Sequence, residues 1–164
     1  MFGSSKSVQQ VAALPFRQGD AEFELLLVTA RSKGARAGRW IMPKGWPEGG
    51  ETLAEAAARE ALEEAGVEGR VHPTPIGQYS YRKAMPKGYE VDSQVFVFAL
   101  HVHDVRDKWR ERKQRKRRWF SLEAAAEALG DRDAARLVER LDAAALQDLL
   151  ARLTAGACSD PASR

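Results

Sequence analysis

Residues Gly45 to Val67 read GWPEGGETLAEAAAREALEEAGV, and this segment constrains the structure more than any other part of the chain. It closes with three glutamates, Glu60, Glu63 and Glu64, at a spacing typical of one helix face. At 3.6 residues per turn, positions 60 and 64 lie about 40° apart around the axis and about 6 Å apart along it. Like charges at this spacing repel one another and destabilise an isolated helix. Hard divalent cations would offset the repulsion, because they prefer oxygen ligands.

Local signals at both ends of the segment support a helix. Thr52 is a candidate N-cap, and Glu55 completes a capping box three residues later. Gly66 suits the left-handed position that ends many helices. The glutamates are predicted to face away from the sheet. The opposite, apolar stripe is predicted to consist of Ala54, Ala58, Leu62 and Ala65, with Leu53, Ala57 and Ala61 alongside.

The spacing of seven residues in this segment resembles the Nudix box, G-x5-E-x7-R-E-U-x-E-E-x-G-U, in which U is a bulky aliphatic residue. Val67 fills the second U position. Ala61 stands at the first and is expected to alter the spacing between helix and sheet. The resemblance extends from Val11 to about Leu153, and it implies an α/β fold, the Nudix α/β/α sandwich around a mixed β-sheet. The matching residues are Gly45, Glu51, Arg59, Glu60, Glu63, Glu64 and Gly66.

The resemblance also implies the chemistry, in which water attacks a phosphorus atom of a diphosphate linkage with the help of Mg2+ or Mn2+. It implies that Glu60 and Glu64 are the main metal ligands, aided by a backbone carbonyl at Lys44 or Gly45. It makes Glu63 either a further ligand or the general base, and both roles stay open.

Other residues would support these carboxylates. Arg59 is expected to orient one of them, and Glu51 is expected to pair with Arg59. Many Nudix enzymes add a carboxylate from outside the box. Glu111, Glu90 and Asp92 are the candidates for it here.

The sheet and the later helices follow from hydrophobic patterning. The segment Val91 to Val102 is the clearest strand and carries apolar residues on both faces, which predicts burial between two layers. One helix is predicted over Leu122 to Leu129, and a longer one from Asp131 or Asp133 to about Leu153. Strands first, a helix between them and helices last fit an α/β/α sandwich. The two faces of the clearest strand are Val95, Val97 and Ala99 on one side and Phe96, Phe98 and Leu100 on the other.

Composition limits the class of protein. The chain has 164 residues, a formal net charge of +3 and one cysteine, Cys158. This length suits one domain, residues 1–164, with an ordered core over about 9–153 and mobile termini. One cysteine permits no internal disulfide. Neither a secretory signal nor an apolar run long enough to span a membrane is present, so a cytoplasmic enzyme is expected.

Positive charge is clustered in three groups. Between Arg106 and Arg118, nine of thirteen residues are Lys or Arg. Around a predicted acidic metal site, such clusters favour a polyanionic small-molecule substrate, and nucleic acid is the alternative polyanion. The other two groups are Arg31, Lys33, Arg36 and Arg39, and Arg82, Lys83 and Lys87.

Two stretches narrow the substrate class. GRWIMPKGWPEGGE and RKRRWFSLEAAAEAL resemble the branch of the family that hydrolyses diphosphoinositol polyphosphates and diadenosine polyphosphates, with the latter favoured. Two further hypotheses remain, an RNA 5'-end pyrophosphohydrolase and a non-catalytic binding module. The oligomeric state stays open. Candidate substrate-binding residues are the cations Arg39, Lys44, Arg82, Lys83 and Lys87 and the aromatic residues Trp46 and Tyr89.

Overall fold

The computed structural model describes residues 7–31 and 37–157. Most of the predicted mobile termini, together with Lys33, Arg36 and Cys158, lies outside these ranges, but residues 7–8 and 154–157 are described and the latter are helical. The strands of the described part are β1 (Ser7–Gln18), β2 (Phe23–Thr29), β3 (Trp40–Ile41), β4 (Lys44–Gly45), β5 (Val67–Val71), β6 (Gly77–Ala84), β7 (Glu90–Val105) and β8 (Arg117–Ser121). Its helices are α1 (Leu53–Glu60), continued by a π-helical turn (Ala61–Ala65), α2 (Leu122–Ala128), α3 (Arg132–Glu139) and α4 (Ala143–Ala157).

The strands form one mixed sheet, as the sequence predicts. β1 and β7 run parallel at its centre, in register from Ser7 opposite Asp92 to Phe16 opposite His101. The other pairings are antiparallel, and they give the order β3-β2-β1-β7-β5, with β4 against β1, β6 against β7 and β8 against β2. The parallel central pair accounts for the long connection through α1 that separates these two strands.

Helices cover both faces of the sheet, so the predicted α/β/α sandwich is confirmed. The α1 face is packed with β-strand residues such as Val11, Phe98 and Leu100. The opposite face packs Leu14 and its neighbours against α2, α3 and α4. The alternation predicted for β7 is also observed, because Val95, Val97 and Ala99 lie on the second face. Burying each large apolar side chain contributes about 1.5–3 kcal/mol.

Helix α1 begins as predicted, but its buried face differs from the predicted stripe. The Thr52 side chain accepts a hydrogen bond from the Glu55 backbone N–H. Leu53 is exposed and Leu62 only half-buried, so the prediction that both belong to the packed stripe is wrong. The reason is that alanines already fill the row against the sheet, which brings the helix close. Those buried alanines are Ala54, Ala56, Ala57, Ala61 and Ala65.

The long C-terminal helix predicted from about residue 131 to 153 is instead two helices, α3 and α4. Asp142 interrupts it, because its carboxylate accepts a hydrogen bond from the Ala145 backbone N–H at 2.8 Å and starts a new helix. The break lets Leu146 and Leu153 of α4 pack on the sheet. Across residues 7–31 and 37–157, no helix is both long and apolar enough to cross a membrane.

Candidate active site

An open cleft of about 800 Å³ lies where α1, β4 and β6 meet. Its walls carry acidic and basic side chains in nearly equal number, which makes it a site for charged ligands. The acidic side chains are Glu48, Glu60, Glu63, Glu64, Glu111 and Asp131. The basic ones are Arg31, Arg39, Lys44, Arg59, Lys83, Arg110 and Arg115.

Glu60 and Glu64 line this cleft but are almost wholly enclosed, being 7% and 5% exposed. The sequence predicted only that the glutamates face away from the sheet, and it did not predict this burial. Glu60 and Glu64 form a second buried row on the helix, beside the row that packs on the sheet, and β4 lies against it. Gly45 of β4 makes room for the carboxylate of Glu60, since a Cβ atom at Gly45 would overlap it.

Burial also changes the protonation of these carboxylates. Desolvation raises the pKa of Glu64 to about 7, although the Arg115 guanidinium acts in the opposite direction. Desolvation likewise raises the pKa of Glu60. A bound cation would counteract this effect, because a nearby positive charge favours the ionised carboxylate.

Arg59 links the carboxylates of the box. Its guanidinium donates to Glu51 at 2.8 Å and to Glu60 at 2.9 Å, and it lies 3.5 Å from the Glu63 carboxylate. It also donates to the backbone carbonyl of Trp46 at 3.0 Å, which ties the loop before the helix to the helix. The bond to Arg59 lowers the pKa of Glu51. The predicted pairing of Glu51 with Arg59 is thus present.

Of the three predicted outside carboxylates, Glu111 is the one that lines this cleft. Arg115 bridges it to the box, with Nε 3.3 Å from Glu111 and Nη2 3.1 Å from Glu64. Glu90 and Asp92, the other two candidates, do not line the cleft and instead pair with Arg82. Of the three candidates, the geometry favours Glu111.

Residues 106–117, which are the connection from β7 to β8 and the first residue of β8, are called the strap here because they lie across the end of the π-helical turn. The strap donates to four successive backbone carbonyls that a helix end leaves without partners. Gly66, with φ of 66°, ends the turn, and a Cβ atom there would meet two side chains of the strap. The four bonds run from Glu111 N–H to Glu63, from Trp109 Nε1–H to Glu64, from Arg117 Nη1 to Ala65 and from Arg106 N–H to Gly66.

The donor set suits Mg2+ or Mn2+. Glu60 and Glu64 offer buried carboxylate oxygens of the hard type that these ions prefer. The lack of a side chain at Gly45 leaves space for the carboxylate of Glu60. Within the described ranges no three acidic, His or Cys side chains converge on one point, and arginines pair with both carboxylates. The Lys44 backbone N–H, 3.2 Å from Glu64 Oε2, also lies at this end of the cleft.

The predicted substrate residues separate into two groups. Arg39, Lys44, Trp46 and Lys83 line the cleft. The others do not: Arg82 pairs with Glu90 and Asp92, while Lys87 and Tyr89 lie in and just after the exposed β6–β7 turn. Their predicted contact with substrate is therefore not supported. For Arg82 the reason is the alternation along β6, because successive side chains of a strand point to opposite faces and Lys83 is the one that lines the cleft.

Three further residues line the cleft that were not predicted to belong to a site, namely Gln10, Tyr81 and Asp131. No motif marks them, because they come from separate elements that only the fold brings together. Arg110 and Arg115 belong to the basic run that was predicted to hold a polyanion. Here they also hold carboxylates, since Arg110 lies 3.1 Å from Glu63.

Comparisons with known proteins agree with the box. Residues 6–141 match the family model described as NUDIX domain. "Nudix hydrolase 12, mitochondrial" of Arabidopsis thaliana is 40% identical over 93 residues, which are 53% of this chain and 44% of that protein. "Diphosphoinositol polyphosphate phosphohydrolase 3-beta" of Bos taurus is 32% identical over 123 residues, 74% of this chain and 68% of that protein.

A solved structure, the C. elegans Ap4A hydrolase, superposes with a TM-score of 0.58 at 21% identity, covering 88% of this chain and 99% of that one. At that identity the likeness concerns the fold alone. The chain spans about half the length of the plant relatives it matches.

Proposed function

The chain belongs to the Nudix family, and on that premise we propose that it is a divalent-metal-dependent hydrolase that cleaves a diphosphate linkage in a highly phosphorylated small molecule. The observation that carries the proposal is the pair of buried carboxylates, Glu60 and Glu64, in a cleft edged by basic side chains. The intact set of three glutamates favours a hydrolase over a module that only binds its ligand.

The proposed roles follow from the contacts. Glu60 and Glu64 would hold Mg2+ or Mn2+, with a backbone carbonyl of Lys44 or Gly45. When bound, such an ion lowers the pKa of the attacking water and neutralises phosphate charge. Glu63 is the less enclosed glutamate and is held by Arg59 and Arg110. It is therefore positioned either to take a proton from water or to serve as a further ligand.

Arg59 and Glu51 act as positioning residues in this scheme. Arg59 fixes the carboxylates of Glu60 and Glu63, and Glu51 fixes Arg59 in turn. Glu111 adds a carboxylate from the strap. The cleft cations would then bind the substrate's phosphates, and the candidates are Arg39, Lys44 and Lys83, while Arg31 pairs with Glu111 at 3.0 Å.

We propose a diadenosine polyphosphate as the leading substrate, ahead of a diphosphoinositol polyphosphate. Trp46 is 43% exposed at the cleft and is available to stack on a nucleobase. An RNA 5'-end is less favoured, because several cations of the basic run are engaged by the protein itself. Arg115, Arg117 and Arg106 all make such contacts.

A product-resolved assay with Mg2+ or Mn2+ tests the proposal. It compares diadenosine tetraphosphate, an inositol pyrophosphate, nucleoside triphosphates and 5'-triphosphorylated RNA, each with and without chelator. We expect chelator-sensitive cleavage that falls at least about 10²-fold in Glu64→Gln. Glu55→Gln is the matched control, because Glu55 is exposed on the same helix and outside the cleft.

The outcome separates the alternatives. Near-normal activity in a folded Glu64→Gln protein would overturn the role given to Glu64. No turnover of any substrate, with Mn2+ shown to bind, would favour a binding module. RNA cleavage that weakens steeply with salt would favour the nucleic-acid alternative.

A further inference from the structure

Gln10 lies on β1 with its side chain in the wall of the cleft, and it is only 3% exposed. Its amide oxygen accepts two hydrogen bonds, from the Tyr81 hydroxyl at 2.5 Å and from the Ser93 hydroxyl at 2.8 Å. Tyr81 and Ser93 pair across β6 and β7. The carbonyl end of the Gln10 amide is therefore held by the sheet, and this fixes the direction of its NH2 group.

The NH2 group has no hydrogen-bond acceptor among the residues that the structure describes. In that same part of the chain, no side-chain nitrogen is sealed from solvent without a partner. With respect to the described residues, the Gln10 nitrogen is therefore not sealed from solvent, and the space it opens onto is the cleft that Gln10 lines. An enclosed amide with one end fixed and the other open to a binding cleft is a preorganised hydrogen-bond donor.

The surroundings of this donor differ from the carboxylate end of the cleft. The Lys44 ammonium lies 5.1 Å from the centre of the Tyr81 ring. Asp131 lines the same cleft, close enough to Lys44 to raise its pKa against the larger effect of burial. The cleft thus has a second end, where a neutral amide, an aromatic ring and an acid lie together.

We propose that Gln10 is a specificity-determining residue that donates a hydrogen bond to a nucleobase acceptor atom on the non-reacting part of the substrate. This inference rests on the proposed hydrolase function and specifies its substrate class. Tyr81 and Ser93 are positioning residues, because they hold the amide in its donating orientation.

The chemistry of this end favours a base over a phosphate. The Gln10 amide is neutral and adds no positive charge to hold a phosphate, and the nearby Lys44 ammonium already has the carboxylates of Asp131 and Glu64 acting on it. A nucleobase is uncharged, carries ring acceptors for the amide and offers a flat face to an aromatic ring. An enclosed donor also discriminates strongly, because a ligand without the matching acceptor leaves it unpaired.

Binding measurements on the full chain test the inference. Two variants remove the donor: Gln10→Glu keeps an oxygen for Tyr81 and Ser93, and Gln10→Met removes the donor without adding charge. The controls are Gln9→Glu and Gln9→Met, because Gln9 is the neighbouring residue on β1 and does not line the cleft. The probes are a methylene-bridged diadenosine tetraphosphate and tripolyphosphate, each titrated calorimetrically with Mg2+.

We expect both Gln10 variants to weaken binding of the dinucleotide about tenfold. Gln10→Met should change tripolyphosphate binding less than about twofold, because that probe has no base. The Gln9 variants should bind both probes like the wild type. Unchanged dinucleotide binding in a folded Gln10→Met protein would overturn the inference, and so would an equal loss for both probes.

Failure of the proposed function gives a different pattern. If the wild type hydrolyses no diphosphate yet binds the dinucleotide in a Gln10-dependent way, the hydrolase proposal fails and the base-recognition inference stands. If the wild type cleaves diadenosine tetraphosphate and Gln10→Met does so with an unchanged KM, the hydrolase proposal stands and the inference fails.

Discussion

Trp109→Phe is the substitution that best tests how the strap supports the carboxylates. The Trp109 indole N–H donates to the backbone carbonyl of Glu64 at 3.0 Å, and the Arg117 guanidinium stacks on the indole at 3.9 Å. Phenylalanine keeps a ring for the stacking but loses the donor. Loss of one neutral hydrogen bond costs about 1 kcal/mol. In a chain of this length, that lowers the melting temperature by about 3 °C.

The effect on hydrolysis should exceed the effect on stability. The lost bond holds the backbone of Glu64, the residue whose carboxylate we assign to the metal. A misplacement of about 1 Å in a catalytic group can cost about 10²-fold in rate. We therefore expect kcat to fall about tenfold or more, with KM changed less than about threefold. Steady-state assays at saturating Mn2+ and calorimetric titration of Mn2+ measure the two effects separately.

Trp119→Phe supplies the matched control. Trp119 lies on β8, and the Arg17 guanidinium covers its ring at the same 3.9 Å, but it does not line the cleft. The Trp119→Phe variant should be less stable than the wild type but should show no specific loss of kcat. If Trp109→Phe and Trp119→Phe lower kcat equally, or if Trp109→Phe leaves kcat and Mn2+ affinity unchanged, the positioning role of the strap is refuted.

Two further predictions concern residues away from the strap. Gly45→Ala should lower the rate of hydrolysis at least about tenfold, because the added methyl group would overlap the Glu60 carboxylate. Gly49→Ala is the control and should leave the rate unchanged, because no atom lies within 4 Å of its Cβ position. Burial lowers the pKa of His101 below 6.5, and His103 adds to the shift. The unfolded chain therefore binds that proton more tightly, and stability should fall as the pH drops below about 6.5. Thermal melts between about pH 8 and pH 5 measure this. The melting temperature of His101→Asn should fall less over that range than that of the wild type. If the difference between the two melting temperatures is the same at every pH, the assignment to His101 is contradicted.

The sequence predicted those features whose contacts are local. Thr52 caps its own helix, Gly66 ends it, and the alternation in β7 is a property of one strand. The burial of Glu60 and Glu64 depends on β4 and the strap, which lie outside the helix, so the helical pattern alone did not predict it. The break between α3 and α4 was missed for another reason, because leucine spacing continues across Asp142.

Residues contributed singly by separate elements are the hardest to foresee. Gln10 belongs to an unremarkable strand, and its role depends on hydroxyls from β6 and β7. Glu111 could be named only as one of three acids, since nothing local distinguishes it from Glu90 or Asp92. The fold distinguishes the three acids, because Arg82 pairs with Glu90 and Asp92, while Arg115 links Glu111 to the box.

The basic run from Arg106 to Arg118 illustrates why a charge pattern does not by itself identify a partner. The end of a helix carries partial negative charge on its free carbonyls, and here three glutamates add to it. Cations of the strap offset both: Arg117 donates to a carbonyl, and Arg110 and Arg115 hold carboxylates. Arg106 is exposed but pairs with Glu68, so an RNA partner would have to rely on the other exposed cations of the run outside the cleft, which are Lys108, Arg112, Lys113, Lys116 and Arg118. The two functions then separate by mutation, because neutralising those five should abolish RNA binding and leave hydrolysis of a small substrate intact.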